Sequence, residues 1–327
     1  VGNAGDDTLS GGDGDDQLDG GPGTDNMSGG SGNDSYVVCN ASDTVTEYSS
    51  EGTDIIYASV TYTTPDNVEN LSLYGSGNVN ATGNSLNNNL KGNSGSNILD
   101  GDTGEDDMFG AAGDDVYVVD NTSDTVTEYS SEGTDLIQSS VTYTASRNVE
   151  NLTLTGSSDI TAIGNSLDNI LSGNTGSNTL MGKAGDDTLS GGDGDDTLNG
   201  GSGTDNMSGG SGNDSYIVEN SNDVVTENLS EGTDIIYASV TYTTPDNVEN
   251  LSLYGSGNVN ATGNSLNNNL KGNSGSNTLT GNAGDDILVG NAGDDTLSGG
   301  DGDDQLDGGS GTDNMSGGSG NDIYIVE

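Results

Sequence analysis

Large apolar side chains recur every nine residues along this chain. Leu9, Leu18, Met27 and Tyr36 stand nine apart, and each sits at the same place in a unit of fixed design. From Gly2 the units read GNAGDDTLS, GGDGDDQLD, GGPGTDNMS and GGSGNDSYV, ending at Val37. Position 1 is Gly, position 4 usually Gly, position 6 Asp and position 8 the large apolar residue. The frame returns for four units over 83–118, six over 164–217 and seven from 263, twenty-one units in all. A unit this short cannot bury its single apolar side chain alone, so the period demands a stacked repeat architecture.

The boundaries follow from the frame. Repeat runs cover 1–37, 83–118, 164–217 and 263–327, separated by related segments at 38–82, 119–163 and 218–262. Each segment is 45 residues long, five units of nine, and carries VTE, EGTD and NVENL. The tyrosines that end the runs, Tyr36, Tyr117, Tyr216 and Tyr324, differ in number by multiples of nine. Modules have therefore grown by whole units. Segments such as 54–63 (DIIYASVTYT) and 68–73 (VENLSL) are rich in β-branched and aromatic residues and read as strands. Each segment is too short to bury a core of its own and is read as further, less regular coils. No 3.6-residue apolar period is sustained, so essentially no helix is expected.

Composition limits what the stack can do. Only 28% of residues are apolar, with one Phe and no Trp, a balance that by itself points to disorder. Fifty-four acidic residues face Lys91, Arg147, Lys183 and Lys271, leaving a formal charge of -50. Such self-repulsion opposes compaction unless counterions intervene, and it disfavours nucleic acid and anionic membranes as partners. There is no His, and Cys39 is the only cysteine. Histidine-based nucleophilic catalysis, thiolate zinc sites and internal disulfides therefore have no candidates, and no catalysis is expected of this chain. Cys39 aligns with Asp120 and Glu219 and reads as an incidental surface thiol. No apolar run is long enough to span a bilayer.

The nonapeptide has its own chemistry. Glycines at positions 1, 2 and 4 permit positive φ and close backbone approach, so a six-residue turn can aim carbonyl oxygens inward. Position 6 adds a carboxylate, and positions 7–9 form a short strand with position 8 in the core. Oxygen ligands without nitrogen or sulfur suit calcium, which takes 6 to 8 oxygens in flexible geometry. One turn supplies too few, so each ion is expected between turns of repeats i and i+2 on one side of a coil.

These units resemble the RTX, or hemolysin-type, calcium-binding repeat G-G-x-G-x-D-x-U-x. The resemblance implies an all-β, right-handed parallel β-roll or β-solenoid, calcium along its edges, secretion unfolded, and folding outside the cell. It implies calcium ligands at the position-6 aspartates Asp7, Asp16, Asp25, Asp34, Asp106, Asp115, Asp187, Asp196, Asp205, Asp214, Asp286, Asp295, Asp304, Asp313 and Asp322. Facing pairs inside the runs number seven if only Asp-bearing units count and thirteen if all do, so seven to thirteen calcium ions are expected per chain. Asn88, Asn97, Asn169, Asn178, Asn268 and Asn277 replace that Asp, and weak or empty sites with stacked amides are expected there. Position-5 aspartates such as Asp6 and Asp15 are expected to face solvent. The EGTD tetrads at 51–54, 132–135 and 231–234 read as turns rather than ion sites.

Three functions fit a secreted calcium solenoid: an extracellular shaft, stalk or adhesin array; the calcium-binding tail of a secreted RTX enzyme; or an ice-binding surface. Residues 231–277 repeat 51–97 without a change, which suits a long repetitive array. Thr occupies position 5 only at Thr24, Thr204 and Thr312, too sparsely for an ice-binding row. Val1–Val38 and Val289–Val326 align at an offset of 288, so the ends are expected to be uncapped and to stack on further copies or coils of the same array.

Overall fold

The computed structural model describes residues 1–326, in two compact units, Val1–Thr155 and a second opening at Gly156. Both are β-solenoids, and among the described residues there is no helix. The first unit begins with β1 (Thr8–Asp13), β2 (Gln17–Asp19), β3 (Asn26–Ser31), β4 (Ser35–Val38) and β5 (Thr44–Thr46). Each strand pairs in parallel with the next but one: Leu9 lies beside Met27 in β1 and β3, and Leu18 beside Tyr36 in β2 and β4. The offset is eighteen residues, so one coil holds two nonapeptides. The second unit repeats this register, with Leu189 beside Met207 and Leu198 beside Tyr216.

Position 8 explains why the coils stack. In a strand alternate side chains face opposite ways, so of positions 7 to 9 only the middle one enters the space between the two sheets. Leu18, Met27, Tyr36, Leu90, Leu99 and Tyr117 in the first unit, and Leu180, Leu198 and Tyr216 in the second, are all at most 3% exposed. At about 1.5–3 kcal/mol per buried side chain, this thin row is the main apolar contribution to each coil. Several strands are longer than positions 7–9. In β1 and β3, and in Thr188–Asp193, pairing runs on into positions 1 to 3 of the following unit, through a position-2 glycine at positive φ.

The strands of segment 38–82 continue the stack with altered spacing. They are β5, β6 (Ile55–Ala58), β7 (Tyr62–Thr63), β8 (Asn70–Leu73) and β9 (Ala81–Thr82). From Tyr36 the core partners are Ile56, Leu71 and Leu90, at offsets of 20, 15 and 19 residues. Leu90 thus falls 54 residues after Tyr36, three regular coils, and the frame is restored. The same partners, Ile236, Leu251 and Leu270, follow Tyr216 in the second unit. The single strand expected over 54–63 is instead two: β6 and β7 belong to different sheets, with a corner at 59–61. A solenoid this narrow turns before ten extended residues can be laid down.

One ladder is interrupted inside each segment. The sheet that includes β3 ends at β5, and β7 begins another. The Tyr62 hydroxyl spans the gap by donating to the Asp43 carbonyl at 3.1 Å. Tyr143 and Tyr242 repeat the contact to Asp124 and Asp223, after the strands Thr125–Thr127 and Val224–Val225.

Candidate metal centre

The position-6 aspartates stand in columns along the turns, one per coil in each column, and beyond the first coil each divides its two oxygens between different tasks. Oδ1 accepts the backbone N–H of the residue eighteen positions earlier: Asp7 donates to Asp25 at 2.8 Å, Asp16 to Asp34 at 2.7 Å, Asp187 to Asp205 at 2.9 Å and Asp196 to Asp214 at 2.7 Å. Oδ2 is sealed from solvent with no hydrogen-bond partner in Asp7, Asp16, Asp25, Asp34, Asp106, Asp115, Asp187, Asp196, Asp205, Asp214, Asp286, Asp295 and Asp304. Asp313 and Asp322, also expected as ligands, are half-buried and receive the N–H groups of Asp295 and Asp304. An unmet buried polar atom costs about 1–3 kcal/mol, and more if charged. A column of such atoms is therefore a strong demand for a cation.

Glycine shapes the space beside each orphaned oxygen. A Cβ on Gly11 would lie 2.5 Å from Asp16 Oδ2 and 2.7 Å from the Gly29 carbonyl oxygen. The position-1 glycine therefore lets a carboxylate oxygen and a carbonyl oxygen of the next coil close on one pocket. In the units with Asp at position 6, position 2 turns with positive φ even where it is not glycine, as at Asn3, Asp102 and Asn291. The donor set is oxygen alone, the cradle is one that any side chain would fill, and one oxygen of each of its carboxylates lacks a partner. These residues fit calcium, which would be held by Oδ2 and turn carbonyls and would neutralise facing carboxylates.

Burial governs the electrostatics. Desolvation pushes Asp196 up to about 7 and Asp187, Asp214 and Asp286 up to about 6, and the carboxylate one coil on adds repulsion. The accepted N–H opposes the shift without cancelling it.

Asparagine closes the pocket from within. Asn88 Oδ1 accepts from the Asn84 N–H at 2.7 Å, and its Nδ2 donates to the carbonyls of Val68 and Glu69 at 3.2 and 3.1 Å. Asn268 repeats this pattern. The amide supplies the donor that a carboxylate lacks, so these turns are satisfied by the protein itself. Position-5 aspartates are exposed yet still employed: Asp6 and Asp15 accept the N–H groups of Thr24 and Asn33 one coil on, at 2.9 and 2.8 Å. Cys39 is half-buried, and its Sγ donates to the Gly21 carbonyl at 2.9 Å, so it is less a surface thiol than a turn contact.

The columns extend beyond the runs. Asp25 donates its N–H to Asp43, and Asp34 to Asp54, which hands on to Glu69 at 2.9 Å. Asp124, Asp135 and Glu150, and Asp223, Asp234 and Glu249, occupy the same places. Continuing the frame one unit past Val37 gives VCNASDTVT, which puts Asp43 at position 6 and Val45 at position 8. For the EGTD tetrads the turn reading covers only half of the residues. Glu51 accepts the Tyr48 N–H in a turn, whereas Asp54 is 1% exposed and joins the column.

A parallel solenoid with columns of unpartnered, oxygen-only pockets along its turns defines a class: the cation-binding repeat solenoids. Within that class the chain belongs to the RTX calcium-binding nonapeptide repeat family, whose model matches residues 1–36, 82–117, 163–198, 181–216, 262–297 and 289–324, more than half of the sequence. No curated protein matches the chain. It is a calcium-binding repeat module.

Proposed function

We propose that this module is a calcium-stabilised extracellular structural array, the shaft of a filament, stalk or large adhesin, and that it carries no catalysis of its own. The observation that supports the reading most is the repeated use of one coil design. Within each unit the acidic columns pass from the repeat runs into the segment that follows, and residues 51–97 and 231–277 are identical. What repeats is a mechanical unit with its cation cradle, not a single cleft of the kind a substrate site requires. Seven to thirteen calcium ions per chain would bridge successive turns and offset the -50 charge. An extracellular setting suits the calcium reading, since calcium is plentiful outside the cell.

Electron microscopy of the native parent protein in calcium tests the structural role. Thin unbranched rods that slacken in chelator support it. A parent in which the solenoid is a short tail beside a catalytic domain would instead assign the calcium-binding module of a secreted RTX enzyme.

A further inference from the structure

At the end of a repeat run the turn column changes composition. The last register pair of β3 and β5 is Ser28 with Thr46, so the next residues, Gly29 and Glu47, stand in corresponding places one coil apart. Glu47 thus occupies a position that glycine holds in the regular repeat. Its carboxylate enters the cradle. One oxygen each of Asp34, Glu47 and Asp54 lies within 4.8 Å of the others, and the three residues are 1%, 5% and 1% exposed. The same trio forms from Asp115, Glu128 and Asp135, and again in the second unit from Asp214, Glu227 and Asp234.

Two features separate these trios from the ladder pockets. The first is the additional carboxylate, which comes from outside the nonapeptide motif. The second is a tyrosine hydroxyl that anchors one of its oxygens. Glu47 Oε1 accepts from the Tyr36 hydroxyl, which itself accepts the Gly29 N–H at 2.6 Å, whereas Oε2 is buried with no partner. Glu128 and Glu227 Oε2, and Asp34, Asp115 and Asp214 Oδ2, are likewise buried and unpartnered. Tyr216 repeats the link between the Gly209 N–H and Glu227. The glutamate is thus held in place by one oxygen, and its carboxylate lies beside two aspartates with the other oxygen buried and unmet.

We infer that each trio is a distinct site for a hard divalent cation of the calcium type, terminating a ladder, with Glu47, Glu128 and Glu227 as ligands that the repeat motif does not contain. The inference rests on the calcium-binding reading and adds three sites to it. Three carboxylates can neutralise a dication completely, so these sites are expected to fill first. The tyrosine contact also makes them visible, because terbium bound there lies beside a phenol ring and emits when tyrosine is excited.

The test compares the full chain with a Glu47→Gln, Glu128→Gln, Glu227→Gln variant by equilibrium dialysis against radioactive calcium, with tyrosine-sensitised terbium emission as a second readout. The expected result is a loss of three ions per chain and of most early terbium emission, with the strand signal in calcium retained. Should the triple variant not fold, Glu227→Gln alone is expected to lose one ion. An unchanged count in either variant overturns the inference, assigning the glutamates as neutral acids that hydrogen-bond the aspartates, and leaves the calcium reading intact. A wild-type chain that binds no calcium refutes that reading itself.

Discussion

The backbone N–H of Asp196 donates to Asp214 Oδ1 at 2.7 Å, and the other oxygen of Asp214 is buried with nothing to accept. This one contact carries both the geometry and the difficulty of the fold. It fixes the coil-to-coil register and at the same time draws a carboxylate into a place where, as an anion, it requires a cation.

Replacing that anion should have opposite effects with and without metal. Asp214→Asn keeps an oxygen for the Asp196 N–H and removes a buried charge. In calcium the variant is expected to bind fewer ions and to melt lower; in chelator it is expected to be no less structured than the parent. Thermal melts under both conditions check the sign reversal, which a purely structural aspartate would not show.

The glycine requirement is equally specific. Gly203 turns at φ +149°, and a Cβ there would run into the Gly185 carbonyl. Gly203→Ala is expected to open the coil locally at a cost of at least about 1 kcal/mol, read as a lower melting midpoint in calcium. Alanine at Gly255 meets nothing within 4 Å although φ is +82°, so its cost should be the backbone term alone and smaller.

Core and cap can be probed together at Tyr216, which is 0% exposed and receives the Gly209 N–H at 2.6 Å. Tyr216→Phe keeps the ring and deprives a buried N–H of its acceptor, at about 1–3 kcal/mol. Leu198→Ala, one coil earlier, removes apolar volume instead and is expected to cost about 2–5 kcal/mol. Denaturant unfolding in calcium measures both.

Acid should partly substitute for calcium. Asp196 is raised to about 7 and Asp187, Asp214 and Asp286 to about 6, above the ordinary aspartate value near 3.8. A carboxyl raised in the folded state stabilises it fully below the unfolded pKa, and that contribution is lost as pH climbs through the folded pKa. Calcium-free protein is therefore expected to gain strand signal as pH falls from 8 to 4. Saturating calcium should flatten the dependence over that range. Circular dichroism at fixed ionic strength reads both curves.

Much of this was legible before the structure because the period is rigid. The spacing of Leu18, Tyr36 and Leu90 identified the core, and the aspartates at position 6 identified the columns of orphaned oxygens. What spacing could not disclose lies where the period is locally broken. Asp54 sits twenty residues after Asp34 instead of eighteen, so counting by nines misses it, although the chain absorbs the extra two residues in the exposed loop at 48–51. Glu47 is hidden for a different reason. It stands where the motif has glycine, and a charged residue at a glycine position reads as decay of the repeat until its buried, unpartnered oxygen is seen.

Calcium binding and folding are expected to be one event. Thirteen ions would cancel 26 of the 50 net negative charges, and without them the thin apolar row must offset both charge repulsion and chain entropy. Far-ultraviolet circular dichroism at neutral pH and low salt, recorded in excess chelator and then titrated with calcium, tests this directly. A disordered spectrum is expected in chelator, with a cooperative, reversible rise of strand signal on adding calcium. A strand spectrum that persists in chelator and does not change with calcium would contradict it.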